Sequence, residues 1–399
     1  MKTVVCIGFA EAMSAPEVAW SLVDAGFQVV AFRRRGRRSA LCHSRYVTTV
    51  EITAPEVDCE STGAELSDFL NSGKPSRHVG GLLPLDDAAV WICNQLNPLS
   101  GWILAGPHGS NAELALDKSL QNEVARAAGF AVPETTYASV PEDVFSRADQ
   151  LPLVLKPAKA EITYGRSLRK CGSWICASGE ELERALAEWG GAWPMLVQPF
   201  IHGIGEGVFG LATDDGIQAW SAHRRLRMMN PHGSGSSACV SLPVAEDLKL
   251  PIERFIRATG WRGIFMIEFL RDRSGTAWFV ELNGRCWGSM ALSRRQGLEY
   301  PAWSAAWALN PHSGNDFQPN GTRQLVCRNV GRECMHLLFV LRGPKSKAMN
   351  NWPSFWRTAV DILHIHNGDA LYNWRKDDSQ VFFFDWLYTM LNHLLKARD

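Results

Sequence analysis

The chain has 399 residues, 46% hydrophobic and 21% charged, with 41 basic and 41 acidic side chains and a formal net charge of zero. That length exceeds one ordinary core and predicts two to three domains. The charge balance removes any global electrostatic case for nucleic acid or an anionic membrane as partner. Ten cysteines are scattered without a Cys-x-x-Cys pair, which argues against a disulfide framework or a zinc site and for reduced thiols in a cytoplasmic protein. The N-terminus runs straight into an apolar strand-like stretch, and no run of about 18 apolar residues marks a transmembrane helix.

Residues 1–112 alternate strand-like stretches (4–8, 28–32, 46–50) with helix-like ones (16–25, 86–95) and end on a strand and exit turn at 103–107. This is the pattern of βαβ units and predicts a Rossmann-like α/β domain. The first βα turn, Gly8-Phe9-Ala10-Glu11-Ala12-Met13, lacks the Gly-x-Gly-x-x-Gly spacing of a dinucleotide cradle. The run Arg33-Arg34-Arg35-Gly36-Arg37-Arg38 stands where an NADP enzyme reads the 2′-phosphate. Without the glycines, a solvated loop or a substrate-phosphate contact is the better reading.

From 113 to 310 two subdomains are expected, 113–200 and 201–310. A helix is expected over 111–129 with Lys118 inside it, and a strand over 153–157 that closes with Lys156. Next come a helix over 180–189, an extended run over 195–201 and a hairpin turning at Asp214-Asp215-Gly216. A helix over 252–259 and strands at 264–270 and 277–282 complete the region. The polar stretch 311–321 reads as a linker, and 311–399 as a mainly helical extension. His364-Ile365-His366 has no acid or cysteine at metal-ligand spacing. The apolar tail 381–391 reads as a helix docked on the protein's own core, with an interfacial membrane helix as the alternative.

The strongest chemical signal lies in the last two strands. Glu268 interrupts the apolar run Gly263-Ile264-Phe265-Met266-Ile267, and Glu281 interrupts Phe279-Val280 before Leu282-Asn283-Gly284-Arg285. Paired strands lie about 5 Å apart, so the two carboxylates converge. Glu281 and Asn283, two apart, share a face. Three oxygen donors without a closed cage suit Mg²⁺ (or Mn²⁺), which keeps waters and takes phosphate oxygens. Arg285 adds a planar fork for phosphate.

This hairpin resembles the metal-binding end of the ATP-grasp superfamily, whose pattern is Glu, then Glu-x-Asn-x-Arg. Upstream, Lys118 and Lys156 resemble its two nucleotide-binding lysines. Gln198-Pro199-Phe200-Ile201 resembles the adenine hinge, and Glu206 the ribose carboxylate. The likeness spans about 112–310. It implies a pre-ATP-grasp domain followed by a two-subdomain ATP-grasp fold, with ATP and Mg²⁺ as cofactors. It implies adenine on Gln198, Phe200 and Ile201, metal on Glu268, Glu281 and Asn283, and Lys156 with Arg285 as the catalytic pair. The implied activity is ligation of a small-molecule carboxylate to an amine through an acyl-phosphate, one substrate being an amino acid.

A second block joins His223-Arg224-Arg225-Leu226-Arg227, the Gly/Ser-rich loop 231–238 and Arg285-Cys286-Trp287-Gly288-Ser289. Guanidinium forks beside free backbone N–H groups suit carboxylate or phosphate oxygens. The set is similar to a bacterial subgroup of ATP-grasp carboxylate–amine ligases that includes D-aspartate ligases. It implies substrate contacts at His223, Arg224, Arg227, Ser236, Trp287 and Ser289. Two features depart from the family pattern: Asn283-Gly284-Arg285 replaces Asn-Pro-Arg, and the loop 159–167 has no dense glycine run. They motivate an alternative, a nucleotide-binding regulatory protein without turnover. The arginine run motivates another, an NADP oxidoreductase.

Overall fold

Residues 4–104 build a five-stranded, all-parallel sheet in the order β3-β2-β1-β4-β5. Its elements are β1 (Val4–Gly8), α1 (Ala15–Asp24), β2 (Gln28–Arg34), β3 (Val47–Ile52), α2 (Cys59–Ser72), β4 (Gly80–Pro84), α3 (Asp87–Leu96) and β5 (Trp102–Leu104). The computed structural model describes residues 2–72, 79–96, 99–233, 235–312, 317, 324–349, 351–364 and 368–395. Helices cover both faces of the sheet, which is why β1 and β4 are apolar without alternation. Val5 and Ile7 pack with Val18 and Leu22 of α1, while Cys6 packs with Leu66, Ala89 and Ile92 of α2 and α3. Three arginines of the run close on acids of the same region. Arg34 pairs with Glu56 at 2.8 Å and Asp86 at 2.9 Å, Arg35 with Glu65 at 2.8 Å, and Arg33 with Glu51. These pairs occupy three of the run's five guanidinium groups, those of Arg33, Arg34 and Arg35.

The next segment holds α4 (Ser110–Leu116), α5 (Lys118–Ala128), β6 (Thr136–Ala138), α6 (Pro141–Phe145), β7 (Leu153–Pro157), β8 (Ile162–Tyr164), β9 (Ser167–Arg169), β10 (Trp174–Cys176), α7 (Gly179–Trp189) and β11 (Met195–Pro199). An antiparallel sheet, β10-β7-β11-β6, packs on α7 through Leu182, Ala185, Leu186 and Trp189. The single helix expected over 111–129 is two. Asp117 is extended, and its carboxylate accepts the N–H groups of Ser119 at 2.9 Å and Leu120 at 3.3 Å. An Asp cap of this kind starts a new helix. It places Lys118 in the first turn of α5 rather than mid-helix.

The remaining elements are β12 (Ile204–Thr213), β13 (Gly216–Met228), β14 (Ser236–Leu242), α8 (Glu246–Ala258), β15 (Gly263–Arg271), β16 (Ala277–Asn283), α9 (Met290–Arg295), α10 (Tyr300–Leu309), β17 (Val326–Arg328), α11 (Val330–Arg342), α12 (Phe355–Leu363), β18 (Ala370–Leu371) and α13 (Ser379–Leu395). Their seven-stranded sheet runs β16-β15-β12-β13-β14-β17-β18. Period-two alternation splits its residues. Val208, Phe265, Ile267 and Phe269 pack toward α5 and α8, whereas Phe209, Leu211, Ile264 and Met266 pack toward α1, α10 and Trp287. Helix α8 begins at Glu246, earlier than expected, and contains Pro251. Leu248, Ile252, Phe255 and Ile256 bury one stripe against the sheet, and that burial outweighs the proline's cost.

The chain beyond 310 is not only helical, since β17 pairs with β14 and β18 and extends the sheet. The tail is helix α13. Its Val381 is fully buried with Trp20 and Ala40, and Phe384 stacks on His43 at 3.4 Å between centroids. Among the described residues no helix is long and apolar enough to cross a membrane. Ser234, Ile365, His366 and most of 311–321 lie outside the described residues.

Candidate active site

The site grows out of the β15–β16 hairpin. Glu268 and Glu281 are direct cross-strand partners, and the register then slips so that Phe269 faces Phe279. Val280 is the extra residue. This bulge decides the chemistry, because without it Glu281 would share the face of Phe279, packed against α5 and α8. With it, Glu281 and Asn283 turn to the face that carries Glu268. The Asn283 amide nitrogen lies 3.3 Å from Glu268 Oε1 and 3.4 Å from Glu281 Oε1. An amide's O and N exchange by a flip of the side chain, which puts a third oxygen beside the two carboxylates. Among the described residues no three His, Cys, Asp or Glu side chains cluster as metal ligands. Two carboxylates and one amide oxygen, with room for water, fit Mg²⁺ or Mn²⁺ better than zinc. Gln121, 1% exposed, clamps this strand, accepting the Leu282 N–H at 2.9 Å and donating to the Leu282 carbonyl at 3.1 Å.

Cations surround the carboxylates. Lys118 Nζ lies 3.0 Å from Glu281 Oε2, and Arg225 pairs with Glu268. Burial would raise Glu281, but the Lys118 ammonium, with Lys156 behind it, holds the carboxyl below the usual carboxylate range. Lys156 Nζ sits 3.5 Å from the Val280 carbonyl. Burial first and the Lys118 charge second lower it from 10.5 to about 8, against the pull of Glu281 and Glu268. A bound phosphate favours the charged amine. Nucleotide binding near pH 8.5 is therefore expected to take up a fraction of a proton, measurable as a dependence of the ADP-binding heat on buffer ionisation enthalpy. The uptake should shrink toward pH 6.5, where the amine is already charged, and vanish in Lys156→Met.

A cleft of about 970 Å³ carries Lys118, Lys156, Arg225, Glu268, Glu281, Asn283 and Arg285 on its walls, and also His223, Ser236, Trp287 and Ser289. A neighbouring cavity of about 770 Å³, lined by Val154, Lys156, Gln198, Phe200, Ile201, Leu270 and Trp278, adjoins it through Lys156, Phe200 and Ile201. Apolar walls beside a strand end give a slot for a flat ring. Gln198 is buried and donates to Thr135 Oγ1 at 2.7 Å, and the Phe200 N–H bonds the Pro152 carbonyl at 2.9 Å.

Three predicted residues fall elsewhere. Glu206 faces away from Glu268, accepting Arg224 Nη2 at 2.8 Å and Arg271 Nε at 2.7 Å on the sheet's other side. Alternation explains this. Gly207, not Glu206, is the cross-strand partner of Glu268 and His223. The same rule removes Arg224 from the cleft and brings in Arg225, two residues from His223. Arg227 is diverted by a bulge after Arg225 and pairs with Glu333 at 2.7 Å. Glu206→Gln is therefore expected to lower stability by about 1–3 kcal/mol, seen as a reduced Tm. The Kd for ADP should stay within about twofold, a change under ~0.5 kcal/mol. A large loss of nucleotide affinity would restore Glu206 to the ribose.

Arg285 is held by a residue that sequence reasoning missed. Asp87, at the start of α3, accepts its Nε at 2.8 Å and also pairs with Lys170 at 3.3 Å. Burial opposes the charge on Asp87, yet Arg285 and Lys170 hold its carboxyl well below the usual range. Arg332 of α11 also lines the cleft. Neither had a local signal, since both reach the site from distant segments. Arg225 had one, its spacing of two from His223.

No protein-family profile matches the sequence, and no curated protein matches it. Solved structures do match, and they show that the chain has the ATP-grasp fold. One neighbour is the L-amino acid ligase from Bacillus licheniformis (TM-score 0.59, 16% identity, 80% of this chain and 78% of that one). Another is the biotin carboxylase domain of Hydrogenobacter thermophilus 2-oxoglutarate carboxylase, solved with MgADP and bicarbonate (TM-score 0.58, 16% identity, 80% and 73%). A third is N5-carboxyaminoimidazole ribonucleotide synthetase from Thermus thermophilus (TM-score 0.59, 15% identity, 81% of both chains).

Proposed function

We propose that this chain is an ATP- and Mg²⁺-dependent ligase that joins a small-molecule carboxylate to an amine through an acyl-phosphate. The observation that carries it is the bulged hairpin, which sets Glu268, Glu281 and Asn283 together beside Lys118, Lys156 and Arg285. The nucleotide's adenine lies in the slot of Gln198, Phe200 and Ile201. Lys118 and Lys156 offset phosphate charge. The metal ion, when bound, neutralises and aligns phosphate oxygens. A substrate carboxylate oxygen bonds to the γ-phosphorus as the bond to the ADP oxygen breaks, and Arg285 stabilises the charge on the transferring group. The amine then bonds to the acyl carbon, phosphate leaves, and the amine loses a proton. His223, Ser236, Trp287 and Ser289 line the same cleft, which supports their assignment to the substrates.

The two departures from the family pattern have structural reasons that weaken the regulatory alternative. A Cβ on Gly284 would fall 2.5 Å from the Trp261 ring, so glycine there serves close packing. The loop after Lys156 is held without a dense glycine run, Gly165 alone turning its β8–β9 hairpin. Leu168 is fully buried and its N–H bonds the Pro55 carbonyl at 2.8 Å, while the Cys59 N–H bonds the Arg166 carbonyl at 2.7 Å. The test is a panel of carboxylic and amino acids offered in pairs with ATP and Mg²⁺, read by phosphate release and product mass. Phosphate release that requires both a carboxylate and an amine is expected. ADP formation that never depends on both contradicts the ligase.

A further inference from the structure

We infer that Arg332 of α11, with Ser236 and the neutral donors beside it, forms a subsite for a non-reacting carboxylate of one of the two substrates. The subsite rests on the ligase reading and adds a substrate class to it. Arg332 lines the cleft with Arg225, His223, Ser236, Trp287 and Ser289. Arg227 and Arg328, its neighbours in space and sequence, both pair with Glu333 at 2.7 and 2.9 Å. Arg332 has no such partner among the described residues, and its Nη1 donates only to the Ser236 carbonyl at 3.3 Å. The buried Asp385 is the acid whose charge acts most on it, without closing an ion pair to it, and that carboxylate accepts the Asn329 amide at 3.3 Å.

The surroundings also await a ligand. The Ser289 hydroxyl, the Trp287 Nε1 and both His223 ring nitrogens are buried in a cleft wall without hydrogen-bond partners, and the Ser236 hydroxyl has only the Cys239 thiol beside it. Buried polar atoms are normally satisfied, so an empty set converging on one cavity marks a place for polar ligand atoms. Hydroxyls, an indole N–H and a guanidinium are mainly donors, which selects an acceptor-rich anion. The planar fork of Arg332 matches a carboxylate. Gly235 lets the fork lie against the loop, since a Cβ there would fall 2.5 Å from Nη1.

The anion held there is not the reacting one. Arg225, which lines the same cleft, is paired with Glu268 of the metal set, whereas Arg332 pairs with no member of that set. A carboxylate on Arg332 is thus held by a cation separate from those beside the metal set. It belongs either to a dicarboxylate acyl donor or to an amino acid acceptor.

The test is calorimetric titration of the full-length protein, loaded with MgADP, with malonate, succinate, glutarate, L-alanine, L-aspartate and L-glutamate. Succinamate and L-alaninamide serve as the amide counterparts. At least one acid should bind, and its amide counterpart should bind far more weakly. Binding of dicarboxylates alone identifies the donor, and binding of L-alanine the acceptor. Arg332→Met should weaken the acid at least ~30-fold, leave the amide unchanged, and leave MgADP affinity unchanged. Arg332→Lys should recover part of the loss. Gly235→Ala, which displaces the guanidinium without removing it, should weaken the same acid and serves if Arg332→Met does not fold. Failure to bind MgADP contradicts the ligase reading itself. A protein that binds MgADP but none of these acids, or binds them equally after Arg332→Met, overturns the subsite.

Discussion

Glu281→Gln lowers the rate of ATP-dependent phosphate release by about 10³-fold, measured at saturating ATP and Mg²⁺. The substitution keeps the side chain's shape and removes its charge. Glu281 supplies one of two carboxylates at the metal set, and it is also the partner of Lys118 at 3.0 Å. Its loss takes an anionic donor from the cation and leaves Lys118 to compete with it. The slot of Gln198, Phe200 and Ile201 proposed for adenine is untouched, so MgADP should still bind, more weakly. A rate that stays unchanged would remove the metal assignment altogether.

Arg285→Ala lowers kcat by about 10²–10³-fold with a smaller change in the KM for ATP. Its guanidinium lines the cleft next to Asn283 and is oriented by Asp87. In the proposed reaction it stabilises charge that develops on the transferring group, so kcat carries the effect. Arg285→Lys should recover little, because an ammonium lacks the planar fork. Asp87 acts through Arg285, and Asp87→Asn should lower kcat by about tenfold, a loss of ~1.4 kcal/mol, while leaving ADP affinity near its normal value. Equal kcat in Arg285→Ala and the unaltered protein would contradict the role.

Much of this architecture is legible in the sequence because it rests on local pattern. The apolar runs of β1 and β4 are those of covered parallel strands, and Glu268 and Glu281 stand out by interrupting such runs. What escaped reading depends on pairing. The bulge at Val280 is one extra residue, visible only once β16 is laid against β15, yet it chooses the face on which Glu281 projects. Glu206 and Arg224 were misplaced for the same reason. A strand's two faces are told apart by neighbours, and counting by two from Glu268 through its partner Gly207 to His223 and Arg225 gives the right set. Strand β17 has three residues, too few for a periodic signal, and is made a strand by the edge of β14. Asp87 reaches Arg285 from 198 residues earlier in the chain, and Arg332 reaches the cleft from helix α11, contacts that no local spacing encodes.

The most direct test of the convergent Glu268–Glu281–Asn283 set is a manganese titration followed by electron paramagnetic resonance, with and without ADP. The expected result is one nucleotide-dependent Mn²⁺ per chain, displaced by Mg²⁺ and lost in Glu268→Gln and in Glu281→Gln. Manganese that binds equally well to both variants in the presence of ADP would contradict it.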